Sequence, residues 1–353
     1  MALSFKSLPD LYAHGADSVL DVRSPAEFAE DHLPGAMNLP VLDNEERADV
    51  GTIYVQESPF LARKIGAAKV FRNAAAHIET QLFSKPGSWR PLVYCWRGGQ
   101  RSGSFTWMLQ QIGWRADVIQ GGYQTYRRLV HQYLYKDPLP HRLVLLDGYT
   151  GTAKTEILQH VKDKGGQILD LEGLAQHRGS LLGALPEGQP SQKGFESALA
   201  AALVKLDPQK PVLVEAESNK IGARIIPPVL WTAMKAAPSI NLTVPFDARC
   251  AYLVGAYDDI LSDTNRLVGR LDPLREHRGN ATVSHWVQLV RAGDKAGVTR
   301  LLMQQHYDPA YEKSRKAINA PRLADISLSG LTTGDLEHAA EEIVGLLDGV
   351  SSL

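Results

Sequence analysis

The chain has 353 residues, 44% of them hydrophobic and 22% charged. This is too long for one ordinary core, and too apolar for a disordered or collagen-like chain, so two domains are expected. The formal net charge of -1 excludes a role that depends on bulk attraction to a polyanion; a nucleic-acid surface would have to be a local patch. The only cysteines are Cys95 and Cys250, with no CxxC or Cys/His cluster, which excludes a disulfide framework and structural zinc and fits a reducing cytoplasm best.

The first residues, MALSFKSLPDLYAHGADSVLDVRS, hold no long apolar run, so no signal peptide is expected. No stretch approaches the roughly 20 apolar residues of a membrane span. Residues 18–22 (SVLDV) read as a short buried strand, followed by an acidic, turn-rich stretch ending in GAMNLP. Residues 43–90 read as a polar, helical insert. Residues 91–95 (PLVYC) form a second strand running into a glycine-rich turn, then a helix over 101–112 and a strand at 116–119. Strands alternating with helices argue for a parallel sheet. Residues 131–141 (HQYLYKDPLPH) carry two prolines and read as a linker between domain 1–130 and domain 142–353.

The pattern then restarts. Strands are expected at 143–147 (LVLLD), 167–171 (QILDL), 211–215 (PVLVE) and 240–244 (INLTV), with a helix at 196–206. Residues 246–306 read as largely helical, and 334–349 as an amphipathic terminal helix. The fold class is therefore α/β, with a parallel sheet in each half and a helical C-terminal part.

Two constellations carry chemistry. Cys95 ends a strand and is followed by Trp96, Arg97, Gly98, Gly99, Gln100, Arg101 and Ser102, where a helix starts. A thiol attacks as thiolate. Backbone N–H groups in a glycine-permitted loop at a helix start stabilise an anion, and Arg97 and Arg101 add positive charge. The segments Asp21-Val22-Arg23, Glu27-Phe28, His32-Leu33, Gly35-Ala36 and Asn38-Leu39-Pro40, with Gly121-Gly122-Tyr123 and Tyr126, resemble the signatures of rhodanese-like domains. That resemblance implies that Cys95 is the sulfur-accepting cysteine. Asp21 and Arg23 read as a buried ion pair bracing the loop rather than as direct participants.

The second constellation is Gly148-Tyr149-Thr150-Gly151-Thr152-Ala153-Lys154-Thr155, which follows the strand 143–147. It has the length and ends of a phosphate loop, GxxxxGK[ST], with Ala153 in place of the last glycine. Such loops turn successive N–H groups onto phosphate oxygens; Lys154 would neutralise phosphate charge, and Thr155 would ligate Mg²⁺ if a metal takes part. If position 153 requires positive φ, alanine is strained there; if it is already helical, alanine costs little. Four acids cluster at expected strand ends, Asp170 and Glu172 after one strand and Glu215 and Glu217 after another, with His177 and Arg178 nearby. The carboxyl edge of a parallel sheet is where α/β proteins bind ligands. No metal site built from protein ligands alone is expected.

The pairing of a rhodanese-like domain with a phosphate-loop domain resembles the tRNA 2-selenouridine synthase family. Further segments carry the likeness: Glu46-Arg47-Ala48 to Gly51-Thr52, Ser58-Pro59-Phe60, Ala62-Arg63-Lys64, Gly66-Ala67, Asp170-Leu171-Glu172-Gly173-Leu174-Ala175, His177-Arg178-Gly179-Ser180, Glu217-Ser218, Ile221-Gly222 and Tyr307-Asp308-Pro309 with Tyr311. The resemblance implies replacement of sulfur by selenium at wobble 2-thiouridine in tRNAs for Lys, Glu and Gln. It implies selenophosphate as donor, supplied by a selenophosphate-producing enzyme, and S-geranylation from geranyl diphosphate on the way. On that reading the 148–155 loop holds the diphosphate and Cys95 serves selenium delivery, either carrying the selenium or orienting its donor. A thiosulfate sulfurtransferase with a regulatory phosphate-loop domain, a nucleoside triphosphatase or kinase, and a pure tRNA-binding protein stand as alternatives. Residues 225–234 (IIPPVLWTAM) read as a core helix start or an apolar groove. Arg266, Arg270, Arg275 and Arg278 form a net basic segment that is a candidate tRNA surface, with Trp286, Tyr307 and Tyr311 as candidate stacking residues. Cys250 reads as buried and inert.

Overall fold

The structure, a computed structural model, describes residues 1–315 and 321–351. It comprises two compact units, Met1–Pro138 with Pro190–Val204, and Leu139–Gln189 with Lys205–Leu353.

The first unit is built on a five-stranded sheet of β1 (Ala2–Leu3), β2 (Ser18–Asp21), β3 (Met37–Asn38), β4 (Pro91–Tyr94) and β5 (Asp117–Ile119), in the order β1-β5-β4-β2-β3. Every pairing is parallel. The unbroken apolar run of β4 follows from burial on both faces, as parallel sheets require. The insert is a pair of helices, Asn44–Gln56 and Pro59–His77. Asp43 and Glu46 close the first in a capping box, and Ser58 caps the second just before its proline. Ala62, Gly66, Val70 and Ala74 repeat every four residues along the buried face of the second helix. At Gly66 a side chain would meet Val50 at 3.2 Å, so glycine sets the helix spacing.

Two boundaries differ from the sequence reading. Residues 131–135 are helical, closing the helix Gly122–Tyr135 whose Tyr126, Leu129, Val130 and Leu134 are buried at helical spacing. That period is hidden when the window starts at 131. The helix Gln192–Lys205 comes from the later sequence, yet residues 190–204 belong to the first unit. The reason is Glu196, 3% exposed, which pairs with Arg127 and accepts a hydrogen bond from the Tyr135 hydroxyl at 2.7 Å.

The second unit carries β6 (Leu143–Gly148), β7 (Gln167–Leu169), β8 (Val212–Glu215), β9 (Lys220–Ile221), β10 (Arg224–Ile225), β11 (Ser239–Thr243) and β12 (Arg322–Ser327). Five of them form a sheet in the order β12-β11-β6-β8-β7, parallel throughout, while β9 and β10 pair antiparallel. β6 is central: the chain leaves it toward β8 and β7 on one side and later reaches β11 and β12 on the other. Its carboxyl end is therefore the switch point where α/β sheets take ligands. The terminal helix Thr333–Ser351 buries Leu336, Ala339, Ala340, Ile343 and Leu347 against this sheet's core. A separate helical core gathers Leu267, Leu271, Val283, Trp286, Val290 and Leu302. Among the described residues, no helix is long and apolar enough to cross a membrane.

Asp21 and Arg23 brace the first unit as expected. Arg23, 1% exposed, donates to both Asp21 carboxylate oxygens and to the Asp31 carbonyl, and lies 4.1 Å from the Tyr123 ring centre. Removing one partner of a buried pair strands the other's charge. Asp21→Ala is expected to lower stability by about 3–5 kcal/mol in denaturant titration, far more than removal of an exposed pair.

Candidate active site

In the first unit, Cys95 follows β4 and is 3% exposed. Ser102, on the first turn of the helix Gln100–Ile112, donates its hydroxyl to the Cys95 sulfur at 3.2 Å. The loop is locked from behind by backbone alone. Tyr123 N–H donates to the Cys95 carbonyl at 2.8 Å, and Gln124 N–H to that of Trp96 at 3.1 Å. Gly98 and Gly122 both have positive φ, and a side-chain carbon on Gly122 would lie 2.2 Å from the Cys95 carbonyl oxygen. These two glycines are therefore required by close approach. A cavity of about 440 Å³ opens over Cys95, lined also by Trp96, Arg97, Arg101 and Arg47. Arg101 is bound to Glu27 through both carboxylate oxygens at 2.8 and 3.3 Å. Burial raises the Glu27 carboxyl, but Arg101 outweighs it and holds the group below its ordinary range. Arg101 thus shapes the rim, whereas Arg97 and Arg47 are exposed beside the thiol. Arg47 comes from the insert helix, and its distance from Cys95 in the chain hid it.

In the second unit the 148–155 loop joins β6 to the helix Lys154–Asp163. Gly148 and Gly151 have positive φ. A side chain at Gly151 would strike Leu253 at 2.9 Å. Ala153 stands at φ 54° and ψ 34°, in the left-handed region. Its methyl is buried among Val144, Leu146 and Ile157. Lys154 Nζ folds back onto the loop, donating to the Gly148 carbonyl at 2.7 Å. The sequence did not single out Arg249, which lies beneath the loop at 6% exposure. It donates to the Thr150 carbonyl at 3.1 Å, pairs with Asp308 at 2.9 Å, and sits 4.9 Å from the Tyr149 ring centre. An arginine leading into the apolar run 250–254 was the available signal, because a buried charge needs a partner.

The loop forms one wall of a cleft of about 620 Å³. Glu172 and Glu217 form another, and Thr155 donates to Glu172 at 3.2 Å. Burial and the charge of Glu217 push the Glu172 carboxyl up to about 8, against the opposing pull of Lys154. The other two acids lie outside the cleft. Asp170 caps the short helix Leu171–Ala175, and Glu215 is 1% exposed with one oxygen accepting from Leu171 N–H at 2.9 Å. Burial, then neighbouring acids, raise Glu215 well above the carboxylate range. Arg178 lines the cleft, paired with Asp259 at 2.8 Å and lying over Tyr257. His177 lies instead in an adjoining cavity.

The cleft's far side is apolar and aromatic, formed by Tyr252, Leu253, Tyr257, Tyr307 and Tyr311, and it runs into a narrow recess lined by Leu182, Leu261, Leu302 and Met303. The apolar wall is thus here. Residues 228–236 form a helix that buries Leu230 and Met234, as its core reading expects. Cys250 is buried, with its thiol on Met303 sulfur at 3.3 Å.

The basic segment is dispersed. Arg266 donates to the Ala184 carbonyl, Arg275 pairs with Asp272, and Arg278 donates to His306. Arg270 is exposed and lines the cavity that holds His177. Trp286 has no accessible surface and donates its indole N–H to Gln305, so it cannot stack on a base; the helical core claimed it. Tyr311 packs against Tyr149 and donates to Asp147 beneath the phosphate loop.

Two outcomes follow for this cleft. A left-handed alanine costs about 1–2 kcal/mol, but its buried methyl returns about 0.8 kcal/mol, and glycine frees the unfolded chain by a further ~0.4–1 kcal/mol. Ala153→Gly is therefore expected to change stability by less than about 1 kcal/mol, while Ala153→Val, β-branched at positive φ, loses about 2 kcal/mol or more. The raised Glu172 carboxyl stabilises the protein fully below about pH 4.5, and that contribution is lost as pH rises through about 8. Thermal melts without ligand should show Glu172→Gln melting above the parent near pH 9, with the gap closing toward pH 4.

Comparison with known proteins matches both halves of the chain. Residues 4–129 match the rhodanese-like domain, and 141–291 the tRNA 2-selenouridine synthase AAA domain. The tRNA 2-selenouridine synthase of Hahella chejuensis is 32% identical over 332 residues, covering 86% of each chain. That of Alcanivorax borkumensis is 31% identical over 329 residues, covering 83% of this chain and 88% of the relative. The Shewanella halifaxensis protein of the same name is 36% identical over 245 residues, 68% of this chain and 65% of the relative, just under two thirds of its length. With both of its halves matched and relatives such as those of Hahella and Alcanivorax aligned along most of their length, the chain belongs to the tRNA 2-selenouridine synthase family.

Proposed function

We propose that the chain replaces sulfur by selenium at wobble 2-thiouridine of tRNAs for Lys, Glu and Gln, in the cytoplasm, with the two reactions divided between the Cys95 cavity and the phosphate-loop cleft. The observation that carries this reading is the composition of the larger cleft. A cation-bearing phosphate loop faces an aromatic and aliphatic wall that runs into an apolar recess. A nucleotide needs the first but not a long apolar wall; geranyl diphosphate uses both. The 148–155 loop with Lys154 holds the diphosphate, and Leu253, Tyr257 and Tyr307 flank the chain. The thiouridine sulfur attacks the first carbon of the geranyl group, the carbon–oxygen bond breaks, diphosphate leaves, and the uridine N–H proton is released. The S-geranyl group is then a leaving group: the selenium of selenophosphate adds at the ring carbon, geranyl thiol departs with a proton, and water cleaves the phosphorus–selenium bond, releasing phosphate and leaving the 2-selenouridine. Cys95, with Ser102 on its sulfur and Arg97 and Arg47 beside it, serves the selenium donor, which a selenophosphate-producing enzyme supplies.

Mg²⁺ fits this cleft as a co-ligand of the diphosphate. Among the described residues no group of three or more His, Cys, Asp or Glu could hold a metal alone. Mg²⁺ characteristically takes one or two carboxylates plus substrate phosphates. Thr155, Glu172 and Glu217 are the residues that would hold it, and a cation there would offset both the burial and the repulsion from Glu217 that raise Glu172. Its chemistry would be to neutralise the leaving diphosphate.

The deciding measurement is mass spectrometry of nucleosides from 2-thiouridine tRNA incubated with the protein, geranyl diphosphate and selenophosphate. The parent should give a geranyl-sulfur mass, then a selenium-for-sulfur mass. Cys95→Ala should keep the first and lose the second, and Lys154→Ala should reduce the first by at least about tenfold, the scale of one lost charge-assisted bond of about 1.5–3 kcal/mol. Loss of both products in a folded Cys95→Ala protein overturns the division. An unchanged nucleoside with cyanide-dependent sulfur transfer instead favours a sulfurtransferase with a regulatory second domain.

A further inference from the structure

A second cavity of about 480 Å³ adjoins the phosphate cleft in the same unit, the two sharing the strip Gly179-Ser180-Leu181. Its charge balance differs. The cleft sets Glu156, Glu172 and Glu217 beside Lys154 and Arg178, whereas the second cavity is lined by Lys220, Arg270 and His177 and by no acid among the described residues. Its wall is built rather than incidental. Gln189 donates to the carbonyls of Ala175 and Ile221 at 3.0 and 2.9 Å and accepts from Ala223 N–H at 2.7 Å, so both of its donors and its oxygen join the two sides. Gly222 has positive φ, and a side chain there would lie 2.3 Å from the Gln189 amide oxygen and 2.7 Å from the His177 ring. His177 is 8% exposed, and burial, then Arg270, lowers its pKa, so the ring is neutral at physiological pH. Leu181 and Leu185 supply the apolar part of the lining.

An RNA acceptor must bring one base to the diphosphate while its own phosphates stay clear of the cleft's carboxylates. We infer that this second cavity is the acceptor's path: it takes a nucleotide of the single-stranded anticodon loop, with Lys220 and Arg270 on its flanking phosphodiesters and the base over the neutral His177 ring and the two leucines. RNA recognition of this kind combines unpaired bases with cations on the backbone. The inference rests on the proposed function, since it is the diphosphate in the larger cleft that gives the acceptor its destination.

The test uses the full chain, a synthetic anticodon stem-loop RNA bearing wobble 2-thiouridine, and geranyl diphosphate as a separate probe. In fluorescence anisotropy across a salt series, the Lys220→Gln/Arg270→Gln variant should bind the RNA on the order of tenfold more weakly at physiological salt. The slope of log affinity on log salt should fall by roughly 1–1.5, as the loss of two single-strand phosphate contacts requires. Ala223→Trp, an exposed rim position, should weaken RNA binding with the slope kept, because it fills space without removing charge. Geranyl diphosphate affinity should stay within about twofold in both. An unchanged RNA slope in the folded double variant overturns the inference, as does undiminished RNA binding by Ala223→Trp. Loss of geranyl diphosphate binding in either variant also overturns it, by assigning the cavity to the diphosphate site. If the parent itself fails to bind geranyl diphosphate, the headgroup assignment fails, and the salt slopes still decide the cavity.

Discussion

A single buried guanidinium holds the phosphate loop in shape. Arg249 is taken out of water, a cost that a charge recovers only through its partners, and here those partners are the Thr150 carbonyl and both oxygens of Asp308. One side chain thus ties the loop between β6 and its helix to the helix Phe246–Ala256 and to the segment beginning at Asp308. Tyr311, one turn further on, donates to Asp147 at the end of β6. The loop conformation, with Gly148, Gly151 and Ala153 at positive φ, is set before any ligand arrives. Pre-set backbone donors are what make such a loop bind phosphate without a reorganisation cost.

Around that loop the unit separates charge by wall. Glu172 and Glu217 share the phosphate cleft, and burial, then the charge of Glu217, keeps Glu172 protonated well above the usual range, so the cleft is ready for a cation that comes with an anionic ligand. A few residues away the lining turns basic and then apolar. A ribbon of small residues, Gly179 and Ser180, divides the two environments, and a side chain at Gly179 would fall 2.1 Å from Glu172. The glycine allows acid and base to lie this close without a wall of bulk between them.

The thiol loop of the first unit solves a similar problem by other means. Both loops follow a central strand of a parallel sheet and lead into a helix, so both stand at the sheet's carboxyl edge. The thiol loop, however, is pinned by backbone packing of Gly98 against Gly121 and Gly122, and its charge comes from arginines on the surface rather than beneath it. The Asp21–Arg23 pair, packed under Tyr94 and Tyr123, supports that arrangement from the sheet side.

The sequence alone determined the two α/β halves, most of the strands, the thiol loop and the phosphate loop. Each of these rests on local information: unbroken apolar runs for buried parallel strands, and glycines at fixed offsets from Cys95 and Lys154. It also carried the family likeness. Only the tertiary structure decided which charges act. Asp170 and Glu215 match Glu172 and Glu217 in chain position, yet one became a helix cap and the other was buried beneath the cleft. Arg101 went to Glu27, while Arg47 arrived at Cys95 from a helix far back in the chain. Trp286 went to a core, Arg249 came under a loop about a hundred residues earlier in the chain, and the helix at 192–205 joined the first unit through Glu196. β12 was also missed, because its alternating, partly exposed edge-strand pattern means little until β11 is beside it. In each case the deciding factor is long-range: a charged or amphipathic side chain takes the partner that repays its desolvation, and that partner lies nearby only once the chain is folded.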